Sequence, residues 1–174
     1  MIKRLAAEHE RIVFNGNGYS DEWVEEAARR GLANITNMVD AIGALCSEKS
    51  VALFERFGVF TKAELDSRAE IEYEIYAKKI NIEAKTMINI IRKQIIPATI
   101  HYTTALAESV NQVKAASAAD VSTQTEMLTE VSSLLAETRD NLRILEDVQR
   151  RGAKMENGLD RAVYYRDNVR TAMN

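Results

Sequence analysis

Apolar residues recur at intervals of three and four along most of this chain, a spacing that predicts helix rather than strand. The longest such run begins near Lys62 and extends to about Ala116. One stripe follows Leu65, Ala69, Tyr73, Tyr76, Ile80, Ala84, Met87 and Ile91, and a second includes Ile71, Ile75, Ile82 and Ile88. Together they make an apolar face wider than a two-stranded seam needs. Pro97 lacks an amide proton and its ring crowds the carbonyl four residues back, so a kink or break is predicted near Gln94–Pro97. The helical pattern then resumes through Tyr102, Leu106, Ser109 and Val113. A second long helix carries Leu128, Val131, Leu135, Thr138, Leu142 and Leu145, the alternating three- and four-residue steps of a heptad seam, and Gly152 closes it. The Ala- and Ser-rich stretch Val113–Val121, with Asp120 as a cap, predicts the turn between these two antiparallel helices. A last helix from about Gly158 places Leu159, Val163, Val169 and Met173 on or near one face.

The first third of the chain reads as shorter pieces. Residues 1–11 predict a short helical start. Phe14–Tyr19, FNGNGY, is a tight turn, because Asn and Gly tolerate positive φ. Ser20 is placed to cap a helix whose first turn holds Asp21 and Glu22, against the helix dipole. Trp23, Val24 and Ala27 give that helix an apolar side, and Trp23 is expected to anchor it against neighbouring helices. Arg29 and Arg30 suit the last turn, and Gly31 stops it. A further helix starts after Thr36, with Met38, Val39, Ile42 and Leu45 at helical spacing, and another spans about Ser50–Phe57 and ends at Gly58. Thr61-Lys62-Ala63-Glu64 is a capping-box pattern that opens the longest helix. The expected fold is therefore all-α: short N-terminal helices over residues 1–60, then a bundle of three long antiparallel helices over residues 61–174, the first kinked near Pro97.

Composition narrows the class. Only 7 glycines and one proline occur in 174 residues, too few turn formers for an antiparallel β protein. A 46% hydrophobic share with 28% charged residues supports a core and argues against disorder. The net charge of -3 offers no basic field for nucleic acid. Cys46 is the sole cysteine, which excludes an internal disulfide and fits a reducing compartment. No apolar run approaches the ~18 residues of a membrane span, and the charged N-terminus does not read as a signal peptide. A cytoplasmic protein is expected.

Candidate chemistry is sparse. His9 and His101 are far apart in sequence, with no Glu-x-x-His, His-Glu-x-x-His or Cys-x-x-Cys spacing, so neither a metal site nor a di-iron bundle is predicted. Asn15-Gly16-Asn17-Gly18 lacks the Lys-Ser/Thr of a phosphate loop and reads as a turn before a capped helix. Glu70, Glu72, Glu74 and Glu83, interleaved with Lys78, Lys79 and Lys85, read as a solvated face in which Glu74–Lys78 is an i,i+4 pair in the favoured direction. Tyr73, Tyr76, Tyr102, Tyr164 and Tyr165 lack interleaved basic residues and read as core or rim packing. Cys46 lacks the neighbours of a nucleophile and reads as a buried, inert thiol. No catalytic, cofactor-binding or metal residue is assigned.

Two blocks in order carry a family resemblance: RIVFNGNGYSDEWVEEAARRGL, from Arg11 to Leu32, and IEYEIYAKKINIEAKTMINIIRKQIIPA, from Ile71 to Ala98. Both resemble the C-terminal region of the type III glutamine synthetases, with matching positions at Glu70, Glu72, Glu74, Tyr76, Ile82, Glu83, Ile95 and Pro97. Gly58-Val59-Phe60-Thr61 is also similar to a Gly-Val-Phe-Thr sequence near the end of the shorter type I enzymes. Val39 stands where members of the family usually carry a proline. The resemblance implies that residues 1–60 close the synthetase catalytic fold and that residues 61–174 are the helical extension of type III. It further implies a longer parent enzyme that ligates ammonia to glutamate with ATP and magnesium or manganese. The chemistry of that enzyme would lie upstream, so this segment would hold no cofactor and would be inactive alone. Its implied partners are the catalytic body and neighbouring subunits of a homo-oligomer, without nucleic acid or membrane. The rival readings from the residues themselves are a stand-alone helical adaptor for another protein and a metal-binding enzyme on a helical bundle. Removal from a parent body would expose apolar surface, so self-association is expected, through Leu128–Leu145 or the Trp23 region.

Overall fold

The computed structural model describes residues 2–10 and 13–174, so Met1, Arg11 and Ile12, which belong to the first helical segment and the first family block, lie outside the described residues. Among the described residues the structure is all-α, with no strand. Four short helices lead in: α1 (Ile2–Glu8), α2 (Asp21–Arg29), α3 (Met38–Leu45) and α4 (Glu48–Arg56). Their caps follow the sequence closely. Asn37 accepts from the Asp40 amide to start α3, and Ser47 does the same for Ser50 at α4, two residues earlier than the periodicity indicates. Gly31 and Gly58 end α2 and α4 with φ of 69° and 63°, a left-handed conformation that side-chain-bearing residues resist. Ser20 occupies the N-cap of α2 with extended backbone, but its hydroxyl donates back to the Asn17 carbonyl (2.8 Å) instead of capping.

The long helix opens with the predicted capping box: the Thr61 amide donates to Glu64 Oε2 (2.8 Å) and the Glu64 amide to Thr61 Oγ1 (3.3 Å). It runs as α5 (Lys62–Ile90), a π-helical turn (Ile91–Ile95) and α6 (Ile96–Ala116), 55 residues without interruption. The helix is therefore not broken at Gln94–Pro97, and the disturbance expected there takes the form of a wide turn: the Ile96 amide reaches back five residues to the Ile91 carbonyl, directly before Pro97. One extra residue in the turn relieves the clash that a proline ring would otherwise make with the preceding turn of an α-helix, so the helix continues.

Ser117–Val121 form the reversal. Asp120 accepts from both the amide (2.9 Å) and the hydroxyl (2.8 Å) of Ser122. Then α7 (Ser122–Gly152) returns antiparallel, along α6 and the end of α5. After a short turn, α8 (Gly158–Tyr164), a second π-helical turn (Tyr165–Val169) and α9 (Arg170–Met173) run continuously back up α5. The bundle is therefore up-down-up, but its third member is only about half as long as the second.

Two apolar clusters hold it together. Val39 and Ile42 of α3 meet Ala69 and Tyr73 of α5 and Ala162 of α8. Ala77, Ala84, Leu145, Tyr165 and Val169 join α5, α7 and the last helix. Tyr76 touches both. The first apolar stripe of the long helix is the buried one, whereas Ile71, Ile75 and Ile82 of the second point to solvent, 54%, 51% and 64% exposed. On the last helix the inward face is Ala162, Tyr165 and Val169, with Val163 and Met173 packed beside it, while Leu159 is exposed. Arg166 ties this helix to α3 through Asp40 (2.7 Å), and Arg92 reaches Glu146 on α7 (2.6 Å).

Candidate functional site

Between the end of α3, the middle of α5 and the start of α8 lies an open cleft of about 750 Å³. Asp66, Glu70 and Glu74 line it from successive turns of α5, with Cys46, Tyr73, Glu156 and Arg161 around them. The i, i+4, i+8 spacing sets the three carboxylates in a row on one helix face. Lys62 pairs with Asp66 (2.8 Å) and Lys78 with Glu74 (2.7 Å). The hydrogen bond from Lys78 holds the Glu74 carboxyl below its ordinary value, so it stays a charged surface carboxylate rather than a proton donor near neutrality. Burial, then the Asp66 charge, pushes the Cys46 thiol up, and Sγ donates to the Leu65 carbonyl (3.7 Å). A thiol held protonated in this way is a poor nucleophile. Burial likewise raises the Tyr73 phenol.

No group of three or more His, Cys, Asp or Glu side chains among the described residues could hold a metal ion. Two of the cleft's carboxylates, Asp66 and Glu74, are engaged by lysines, and His9 and His101 are exposed outside it. These residues do not fit a metal–nucleotide centre.

The other sequence candidates are structural in their contacts. In the FNGNGY turn the Tyr19 amide donates to Asn17 Oδ1 (3.0 Å), leaving the Tyr19 ring fully exposed at the tip. Trp23 packs on Phe14 of the FNGNGY turn, with ring centroids 4.8 Å apart and the planes tilted by 43°. Arg30 donates to the Val13 carbonyl (2.7 Å) and ties the turn to the end of α2. Glu26 receives Arg29 through Nε (2.6 Å) and also Arg30, and these two guanidinium groups lower its pKa to about 2, Arg29 contributing most. Tyr73 and Tyr165 are core residues, Tyr76 and Tyr164 half-buried, and Tyr102 is exposed.

The inter-helix polar centre escapes the sequence reading. Asn81 Oδ1 accepts from Gln149 Nε2 (2.8 Å) and from the Tyr165 hydroxyl (3.0 Å), joining α5, α7 and the last helix at one atom. The available signal was an Asn between Ile80 and Ala84, on the edge of an apolar stripe. A lone polar residue at such a place fixes register when it finds partners. Along the predicted Leu128–Leu145 seam, Leu142 and Leu145 are buried, and Leu128, Val131, Leu135 and Thr138 are partly buried.

What this arrangement can do is pack. Its polar groups tie helices together, and its remaining apolar surface faces outward. The sequence matches the family model of the glutamine synthetase C-terminal domain over residues 1–114, well over half of the chain. The chain belongs to that family. The glutamine synthetase C-terminal domain match runs from the first helix almost to the end of α6. A glutamine synthetase of Butyrivibrio fibrisolvens is 37% identical over 170 residues, covering 97% of this chain and 24% of that protein. The type-3 glutamine synthetase of Dictyostelium discoideum is 41% identical over 113 residues, 65% of this chain and 15% of that protein. A glutamine synthetase of Bacteroides fragilis is 28% identical over 175 residues, covering 98% and 24%. The chain thus spans about a quarter or less of the length of these relatives. The type III resemblance carried by the two sequence blocks agrees with the Dictyostelium protein. No helix among the described residues is long and apolar enough to cross a membrane.

Proposed function

We propose that this chain is the C-terminal helical domain of a type III glutamine synthetase, and that its role there is structural. One observation carries the reading: 97% of the chain aligns with a glutamine synthetase of which it covers only 24%. Ligation of ammonia to glutamate, with ATP and magnesium or manganese, belongs to the remaining three-quarters of such a protein. The described residues of this segment offer no group of side chains able to hold a metal, and two of the acidic groups in the cleft on α5 are held in ion pairs with lysines. Residues 1–60 adjoin the catalytic body, residues 61–174 extend from it, and the assembled enzyme is a cytoplasmic homo-oligomer whose subunits meet partly through these helices.

The test is a paired expression. The complete reading frame that contains these residues, and the 174-residue chain alone, are assayed for glutamine formation from glutamate, ammonia and ATP. Activity is expected in the longer protein and none in the chain. Turnover by the isolated chain would overturn the structural role. A genomic frame that opens at Met1 would replace the synthetase reading with that of a stand-alone adaptor.

A further inference from the structure

The face of α5 opposite the bundle is apolar and uncovered: Ile71, Ile75 and Ile82 lie on one line along the helix, each more than half exposed. Beta-branched side chains at steps of four and seven, on a helix whose other side already holds a complete core, are a second seam rather than scattered surface residues. The charges flanking that seam are arranged with two-fold complementarity. Glu70, Glu72 and Glu74 precede its midpoint and Lys78, Lys79 and Lys85 follow it, while Arg68 before it and Glu83 after it are set the other way round. A parallel partner of like sequence would set acid against acid and base against base. An antiparallel copy sets Glu72 and Glu74 against Lys79 and Lys78, and Arg68 against Glu83.

We propose that this face pairs with the same face of a second copy of the chain, antiparallel, about a two-fold axis near Tyr76. In that register Ile71 of one copy lies beside Ile82 of the other, and the two Ile75 side chains meet near the axis. Helical phase places Glu74 and Lys78 on one flank of the seam and Glu72 and Lys79 on the other. The two-fold keeps flanks together, so Glu74 meets the partner's Lys78 on one side and Glu72 meets the partner's Lys79 on the other. Each contact occurs twice, as an isologous interface requires. Lys78 already bridges Glu74 within one chain at 2.7 Å, both side chains being exposed, so the second copy completes an alternating square of four charges. The pairing specifies the surface for the subunit packing proposed above, but it does not depend on ligase activity.

The 174-residue chain is studied by light scattering across concentration and by disulfide trapping. It should form a dimer that Ile71→Ser/Ile82→Ser abolishes while helicity and melting temperature are retained, since both residues are exposed. Charge reversal by Glu72→Lys/Glu74→Lys should weaken the dimer, and adding Lys78→Glu/Lys79→Glu in the same chain should restore it, because the swapped face is again self-complementary. In a Cys46→Ala background, Ile75→Cys should cross-link to itself. Ile82→Cys should not, because its two copies stand about 16 Å apart along the axis. A monomer at every concentration, a dimer indifferent to the isoleucine changes, or self-cross-linking at position 82 as rapid as at position 75 would each overturn the proposal. None of these readouts depends on whether the longer protein makes glutamine.

Discussion

A methyl group at position 152 has no room. A Cβ built on Gly152 lies 2.8 Å from Tyr165 Cε2 and 3.1 Å from Tyr164 Cδ1, so the glycine at the end of α7 is there to let the last helix come close. Gly152→Ala is expected to destabilise the protein by about 1–3 kcal/mol, read from a urea transition, because the ring it meets is fully buried and cannot swing aside. Glu26 gives a second prediction at this scale. Its pKa in the folded protein, about 2, lies below the ordinary value of 4.5, so its contribution is complete above pH 4.5 and fades as pH falls toward 2. Trp23, the single tryptophan, sits in the same helix and reports on it. Its fluorescence should show a local acid transition in that window, and Glu26→Gln should remove the pH dependence. At the residue scale the sequence was legible wherever a rule is local. Gly31, Gly58 and the Thr61–Glu64 box are settled by the few residues around them. Gly152 was read as a helix stop, and its contact with Tyr165 was invisible because it depends on a neighbour brought in by tertiary packing.

Among the elements, the long helix shows how the disturbance expected of a proline is taken up without ending the helix. Pro97 does disturb the hydrogen-bond ladder, but the chain absorbs the disturbance in a five-residue π turn and remains one helix. Pro97→Ala is expected to raise stability, by about 1 kcal/mol or more, since an exposed alanine restores a donor and favours helix. Chemical denaturation measures the gain. A fall in stability would show that the π turn itself, not the proline, is what the packing against α7 requires. The apolar stripes teach a similar lesson. Periodicity identified both faces of α5, but only the positions of α3, α7 and α8 determine which face is covered. Leu65, Ala69 and Tyr73 are inside, while Ile71, Ile75 and Ile82 are outside. On the last helix Val169 is inside, and Val163 and Met173 pack beside it, as their spacing indicates, but Leu159 is exposed and Ala162 and Tyr165 complete the inward face, a choice made by where α3, α5 and α7 stand.

For the whole molecule, stability is unevenly distributed. The middle of α5 is packed by α3, α7 and the last helix, whereas α6 has α7 as its packing partner. Two helices side by side bury less apolar surface than three or four, so opening there needs less free energy. In hydrogen exchange, amides of α6 and of the facing start of α7 should exchange faster than those between Ala69 and Ala84. Equal protection along the full helix would show that the arm is stabilised by contacts beyond the chain. Fold class and element order were legible in the sequence because helical periodicity and caps are carried by neighbours in the chain. The Asn81 node was not legible, because it required three distant segments to be placed together.

The π turn at Ile91–Ile95 holds one residue more than an α-helical turn would. Deleting a single residue there lets a plain α-helix re-form with everything downstream close to its present phase, so Val110 stays on its buried side. The same deletion in the regular stretch of α6 has no slack to absorb it, and the rest of that helix would rotate by about 100° away from α7. The hairpin should therefore tolerate the loss of one residue inside the wide turn far better than the loss of one residue beyond it.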